Sequence, residues 1–173
     1  YQHAPKLSNC VGDAQAIIEV LTSKYDFQKE NVRSFFDKEA TKANIHRSLR
    51  QLARDIKDED NLLIYFAGHG VYDKAGGVGY LVPVEAKPGD FWDFLSNADF
   101  LNLIRAVKSF HTFLLMDSCF SGTLFRSMDD SSTRLAENVG IFPSRWGLAA
   151  GMIEEVEEGW HGDNSPFAEA VLQ

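Results

Sequence analysis

The chain has 173 residues, 45% hydrophobic and 24% charged, the proportions of one ordinary globular domain that can build a core without disulfide or metal support. A formal net charge of −8 argues against the basic surface of a nucleic-acid reader and mildly favours basic substrates. Cys10 and Cys119 are too few for a disulfide framework, no Cys/His group has zinc spacing, and no apolar run nears the roughly 20 residues of a membrane helix; a reducing, cytoplasmic setting without metal or membrane is expected.

From Asp13 onward, Ala14, Ile17, Ile18 and Leu21 recur at helical spacing and predict an amphipathic helix. Asn31 to Phe36, with Val32, Phe35 and Phe36, predicts a short strand. A second amphipathic helix follows from Ile45, Leu49, Leu52, Ala53 and Ile56. Asn61 to Ala67 and His111 to Met116 are compact apolar runs, expected to be central parallel strands covered on both faces. Between them, Gly76-Gly77 predicts a turn into a hairpin or edge strand over Val78 to Val84. Ser96 then caps a crossover helix bearing Phe100, Leu103, Ile104 and Val107, with Asp99 placed like the carboxylate of a capping box. Thr123 to Ser144 lacks any sustained period and predicts a mobile surface loop. Trp146 to Ala149 predicts a strand, and Ser165-Pro166 opens a last helix with Ser165 as its cap. This alternation predicts a three-layer α/β fold, a mostly parallel sheet with helices on both faces.

Two runs carry chemistry. Tyr65-Phe66-Ala67-Gly68-His69-Gly70 ends the first central strand, and Asp117-Ser118-Cys119-Phe120-Ser121-Gly122 follows the second. The working crevice of an open α/β sheet lies beyond the carboxyl ends of its strands, where both His69 and Cys119 fall. A thiol is a strong nucleophile only as thiolate, and a neighbouring imidazole can take its proton and later return it to a leaving amine. Taken singly, Cys119 is an ordinary buried thiol and His69 a structural histidine; their joint placement predicts a cysteine peptidase. The amides of Gly70 and Cys119 are candidate oxyanion donors.

These runs and their spacing resemble the caspase-fold peptidases, in particular the metacaspase and bacterial caspase-like (orthocaspase) branch. Asn9-Cys10-Val11-Gly12-Asp13-Ala14 is similar to that family's first-helix entry and Asn164-Ser165-Pro166-Phe167 to its last, so the resemblance covers residues 1–173 as a single domain. It implies a caspase-like fold whose first core strand would lie upstream of Tyr1. It also implies an endopeptidase that cuts proteins or peptides after Arg or Lys, with His69 and Cys119 as the dyad and Asp13 and Asp117 binding the basic side chain. Ala67 stands where some relatives carry serine. Without the resemblance, Asp117 is a turn residue and Asp13 a first-turn carboxylate favoured by the helix dipole.

Arg126, Arg134 and Arg145, in or beside the expected loop, become candidate self-cleavage sites, although exposed loop arginines are common. Asp129 and Asp130 suggest calcium, but two carboxylates fall far short of the roughly six to eight oxygens it takes, so no cofactor is expected. The rival readings are a catalytically silent interaction module joined to other domains of a signalling protein, and a flavodoxin-like binder, which would need a phosphate loop absent here.

Overall fold

The computed structural model describes residues 1–119, 121–126, 143–151 and 164–173. In chain order its elements are α1 (Cys10–Lys24), α2 (Lys42–Asp55), β1 (Asn61–Ala67), β2 (Gly70–Asp73), β3 (Val78–Leu81), β4 (Leu95–Ser96), α3 (Asn97–Arg105), β5 (His111–Asp117), α4 (Gly122–Arg126), β6 (Ser144–Ala149) and α5 (Pro166–Leu172). No described helix is long and apolar enough to cross a membrane.

Strands β1, β5 and β6 make a parallel sheet in the order β1-β5-β6, its register running from Asn61↔His111 to Ala67↔Asp117. Strand β5 is central, as expected. Strand β1 is not: it pairs only with β5 among the described residues, and its side chains from Leu62 to Ala67 are half-buried rather than enclosed.

Side-chain alternation sorts this sheet into two faces. Ile64, Phe66, Leu114 and Met116 share the face that packs against Leu49 of α2 and Phe100, Leu101 and Ile104 of α3. Leu63, Tyr65 and Ala67 share the opposite face with Phe113, Leu115 and Asp117, on the side where α1 and α5 pack together. That opposite face is open at Phe113, Trp146 and Leu148, which are 40%, 53% and 48% exposed.

The predicted strand over 31–36 does not form. Lys29–Asn31 is a 3-10 turn, and the backbone at Val32 and Phe36, although extended, pairs with no described strand. A local β pattern supplies conformation, but a strand also needs a neighbour for its ladder. Between this segment, α1 and the unpaired side of β1 lies a cavity of about 1060 Å³, lined by Ile17, Leu21, Phe36, Leu62 and Ile64 among others.

The predicted hairpin forms, with β2, β3 and β4 making a separate antiparallel sheet; Gly77 takes a φ of +68° in its turn, a left-handed value that glycine adopts freely. Ser96 caps α3 by accepting from the Asp99 amide at 3.0 Å. Asp99 does not complete the expected box by reaching the Ser96 amide; its carboxylate accepts from the Ser96 hydroxyl at 2.8 Å. Of the segment 123–144, expected to be a loop, 123–126 belong to α4 and Ser144 begins β6. Residues 127–142 lie outside the described residues.

Candidate active site

The parallel register brings the two chemical runs side by side. His69 and Cys119 each lie two residues beyond the last paired position, Ala67↔Asp117, on strands whose backbones run about 4.8 Å apart. The Gly68 amide continues the ladder by donating to the Asp117 carbonyl at 3.1 Å. At the next step a Cβ on Gly70 would collide with the Cys119 carbonyl, so only glycine permits this approach.

The imidazole of His69 is held from the N-terminal segment. Its Nε2 lies 2.8 Å from the Pro5 carbonyl oxygen, an acceptor only, so Nε2 carries the proton and Nδ1 is left with the lone pair in the neutral ring. Tyr1 packs against the ring at a centroid distance of 4.6 Å, and its Oη accepts from the His69 amide at 2.7 Å. Burial pushes the Tyr1 phenol up to about 12 despite that amide, with the nearby Cys10 adding to the rise. Neither Tyr1 nor Pro5 was legible as a site residue: Pro5 acts through a backbone carbonyl, which leaves no side-chain signature, and Tyr1 reaches His69 from 68 residues away in the chain.

A second group sits on the face covered by α1 and α5. Asp13 in the first turn of α1 is 1% exposed, Asp117 at the end of β5 8%, and Ser165 at the cap of α5 5%. The Ser165 amide donates to Asp13 Oδ1 at 3.2 Å, and the Ser165 hydroxyl to Asp117 Oδ2 at 2.5 Å. The Tyr65 hydroxyl donates to the same Asp117 oxygen at 3.2 Å. Asp13 Oδ2 is buried without a hydrogen-bond partner among the described residues.

Burial raises both carboxyl groups above the ordinary aspartate value. For Asp13 the Ser165 amide opposes the rise and the Asp117 charge adds to it; for Asp117 the Ser165 and Tyr65 hydroxyls oppose it. The Tyr65 hydroxyl is pushed far above its usual range by burial and then by the charges of Asp117 and Asp13. Tyr65 and Ser165 were missed as site residues, yet register held a signal: two strands of equal length ending at Ala67 and Asp117 put Tyr65 on the Asp117 face.

The remaining candidates fall apart from these groups. Arg126 ends α4, Arg145 lies in β6 with its guanidinium donating to the Val107 carbonyl at 3.0 Å, and Arg134, Asp129 and Asp130 lie outside the described residues. Among the described residues no group of three His, Cys, Asp or Glu is arranged to hold a metal ion. The large cavity beside β1 borders Tyr65 and Cys10 but not Asp13, Asp117 or His69.

Comparison with known proteins gives the family and the fold. The caspase-domain family matches residues 1–165. Similar curated proteins are metacaspase-6 of Arabidopsis thaliana, 26% identical over 77% of this chain and 38% of its own length, and metacaspase-4 of the same plant, 25% identical over 77% and 33%. Metacaspase-1 of Kluyveromyces lactis is 26% identical over 83% of this chain and 35% of its own length. The chain thus spans about a third of the length of these relatives. A crystal structure of a Geobacter sulfurreducens protein shares the fold with a TM-score of 0.53 at 19% identity, over 78% of this chain and 51% of that one.

Proposed function

The chain belongs to the caspase-domain family, and from that premise we propose that it is a cysteine endopeptidase that cleaves protein substrates after arginine or lysine. The observation that carries the specificity is the buried Asp13 and Asp117 pair. Among the described residues its hydrogen bonds come from hydroxyls and one amide, none from Lys, Arg or His, and Asp13 Oδ2 is left bare. Two carboxylates buried together without a counter-charge are costly, and a guanidinium or ammonium from a substrate relieves that cost.

In this reading the Cys119 thiol passes its proton to His69 Nδ1 while the sulfur attacks the scissile carbonyl carbon. The carbonyl electron pair moves to oxygen, where the Gly70 and Cys119 amides receive it. Collapse of that adduct expels the amine, which takes the proton back from His69, and leaves a thioester on Cys119. Water, giving a proton to the same imidazole, then attacks the thioester carbon; the C–S bond breaks, the acid leaves, and the Cys119 sulfur takes the proton back from His69. The Pro5 carbonyl supports each proton transfer by fixing the ring and stabilising the imidazolium.

His69→Ala and Cys119→Ala should each abolish hydrolysis of arginine-ended fluorogenic peptides while circular dichroism stays unchanged; retained hydrolysis removes the assignment. The proposal includes self-cleavage at Arg126, Arg134 or Arg145. Mass spectrometry should find those cuts in wild type and none in Cys119→Ala. At Arg145 a cut requires β6 to leave the sheet first.

A further inference from the structure

We propose that Tyr65 and Ser165 are positioning residues of the cation pocket: gripping Asp117 by Oδ2 and Asp13 by Oδ1, they leave Asp117 Oδ1 and Asp13 Oδ2 turned toward one substrate cation. This rests on the pocket reading above and adds to it two residues that make no direct claim on the substrate.

The hydrogen bonding of Ser165 is fully committed. Its single hydroxyl proton goes to Asp117 Oδ2, its oxygen accepts from the Ala168 amide at 3.0 Å, and its own amide goes to Asp13 Oδ1. One residue at the start of α5 therefore fixes a carboxylate on α1 and another on β5. Tyr65 has one donor, and it reaches the same Asp117 oxygen from β1.

A carboxylate free to turn about its last torsion exchanges its two oxygens. Two donors on Oδ2 stop that exchange for Asp117, and the Ser165 amide does so for Asp13. Among the side-chain atoms of Asp13, Tyr65, Asp117 and Ser165, Asp13 Oδ2 is the one that is buried with no hydrogen-bond partner among the described residues. The ionisable groups around this point among the described residues are Asp13 and Cys10 on α1, Tyr65 on β1 and Asp117 on β5, with no Lys, Arg or His among them. The pocket is thus pre-oriented for a cation before substrate arrives, and orientation rather than extra charge is what the two hydroxyls supply.

The test compares wild type with Tyr65→Phe, Ser165→Ala, Ser165→Thr and Asp117→Asn. Agmatine, a guanidinium without a peptide bond, is titrated by calorimetry; kcat and KM are measured on an arginine-ended peptide; and the rate of Cys119 alkylation by iodoacetamide is followed. Tyr65→Phe and Ser165→Ala should each weaken agmatine binding about tenfold, as loss of a hydrogen bond to a charged group does, and lower kcat/KM mainly through KM. Ser165→Thr should keep both, and alkylation should be unchanged throughout. Wild-type agmatine affinity in Tyr65→Phe, with binding lost in Asp117→Asn, overturns the positioning role and leaves the pocket standing. A wild type that binds no agmatine and spares the arginine peptide overturns pocket and positioning together. Because Ser165→Ala also removes the cap of α5, Tyr65→Phe decides the matter alone if that variant does not fold.

Discussion

Asp13 puts a cost into the folded protein that a substrate would remove. Burial holds its carboxyl above the ordinary aspartate value when folded, so the folded state binds that proton more tightly than the unfolded chain does. The cost is therefore absent below about pH 4, grows as the pH rises towards the raised folded value, and is fully present above it. Asp13→Asn keeps an Oδ1 acceptor for the Ser165 amide and removes the charge. At pH 7 it should raise the unfolding free energy by roughly 1 kcal/mol while cutting kcat/KM on arginine peptides at least about tenfold. Urea denaturation checks this: the gain should shrink as the pH falls and vanish by about pH 3, and a variant less stable than wild type at pH 7 contradicts it.

Elements meet at one backbone contact. Strand β1 hands on to β2 through Gly70, whose missing side chain lets the turn lie against the Cys119 carbonyl. Gly70→Ala should lower peptide hydrolysis about a hundredfold by displacing the dyad by about an ångström, with a melting temperature within a few degrees of wild type. Activity near wild type would show that the two turns need not touch. Both strands, the Ser96 and Ser165 caps and the β2-β3 hairpin were legible in the sequence, because apolar runs, hydroxyl caps and paired glycines act locally. What was not legible depends on partners. Val32 to Phe36 has a strand's composition but no described neighbour, and β1 has the composition of a central strand yet pairs with β5 alone among the described residues. The candidate dyad was read from motifs and the candidate acidic pair from the family resemblance, whereas Pro5, Tyr65 and Ser165 come beside them only through register and chain crossing.

The whole molecule assembles the site from its full length. Pro5 orients His69, α1 brings Asp13, β1 brings Tyr65, β5 brings Asp117 and leads to Cys119, and α5 closes the pocket through Ser165. No part of the chain carries the chemistry alone, so loss of α5 from the fold should silence the acidic pocket before it touches the dyad. The net charge of −8 adds a long-range field that, under the proposed specificity, would draw basic peptides towards it. The account is tested most directly by initial rates on otherwise identical fluorogenic peptides ending in Arg, Lys or Asp. It predicts that the Arg and Lys peptides are cut at least about a hundredfold faster than the Asp peptide, since a third carboxylate in that pocket is repelled. Cleavage of the Asp peptide at a comparable or greater rate contradicts it.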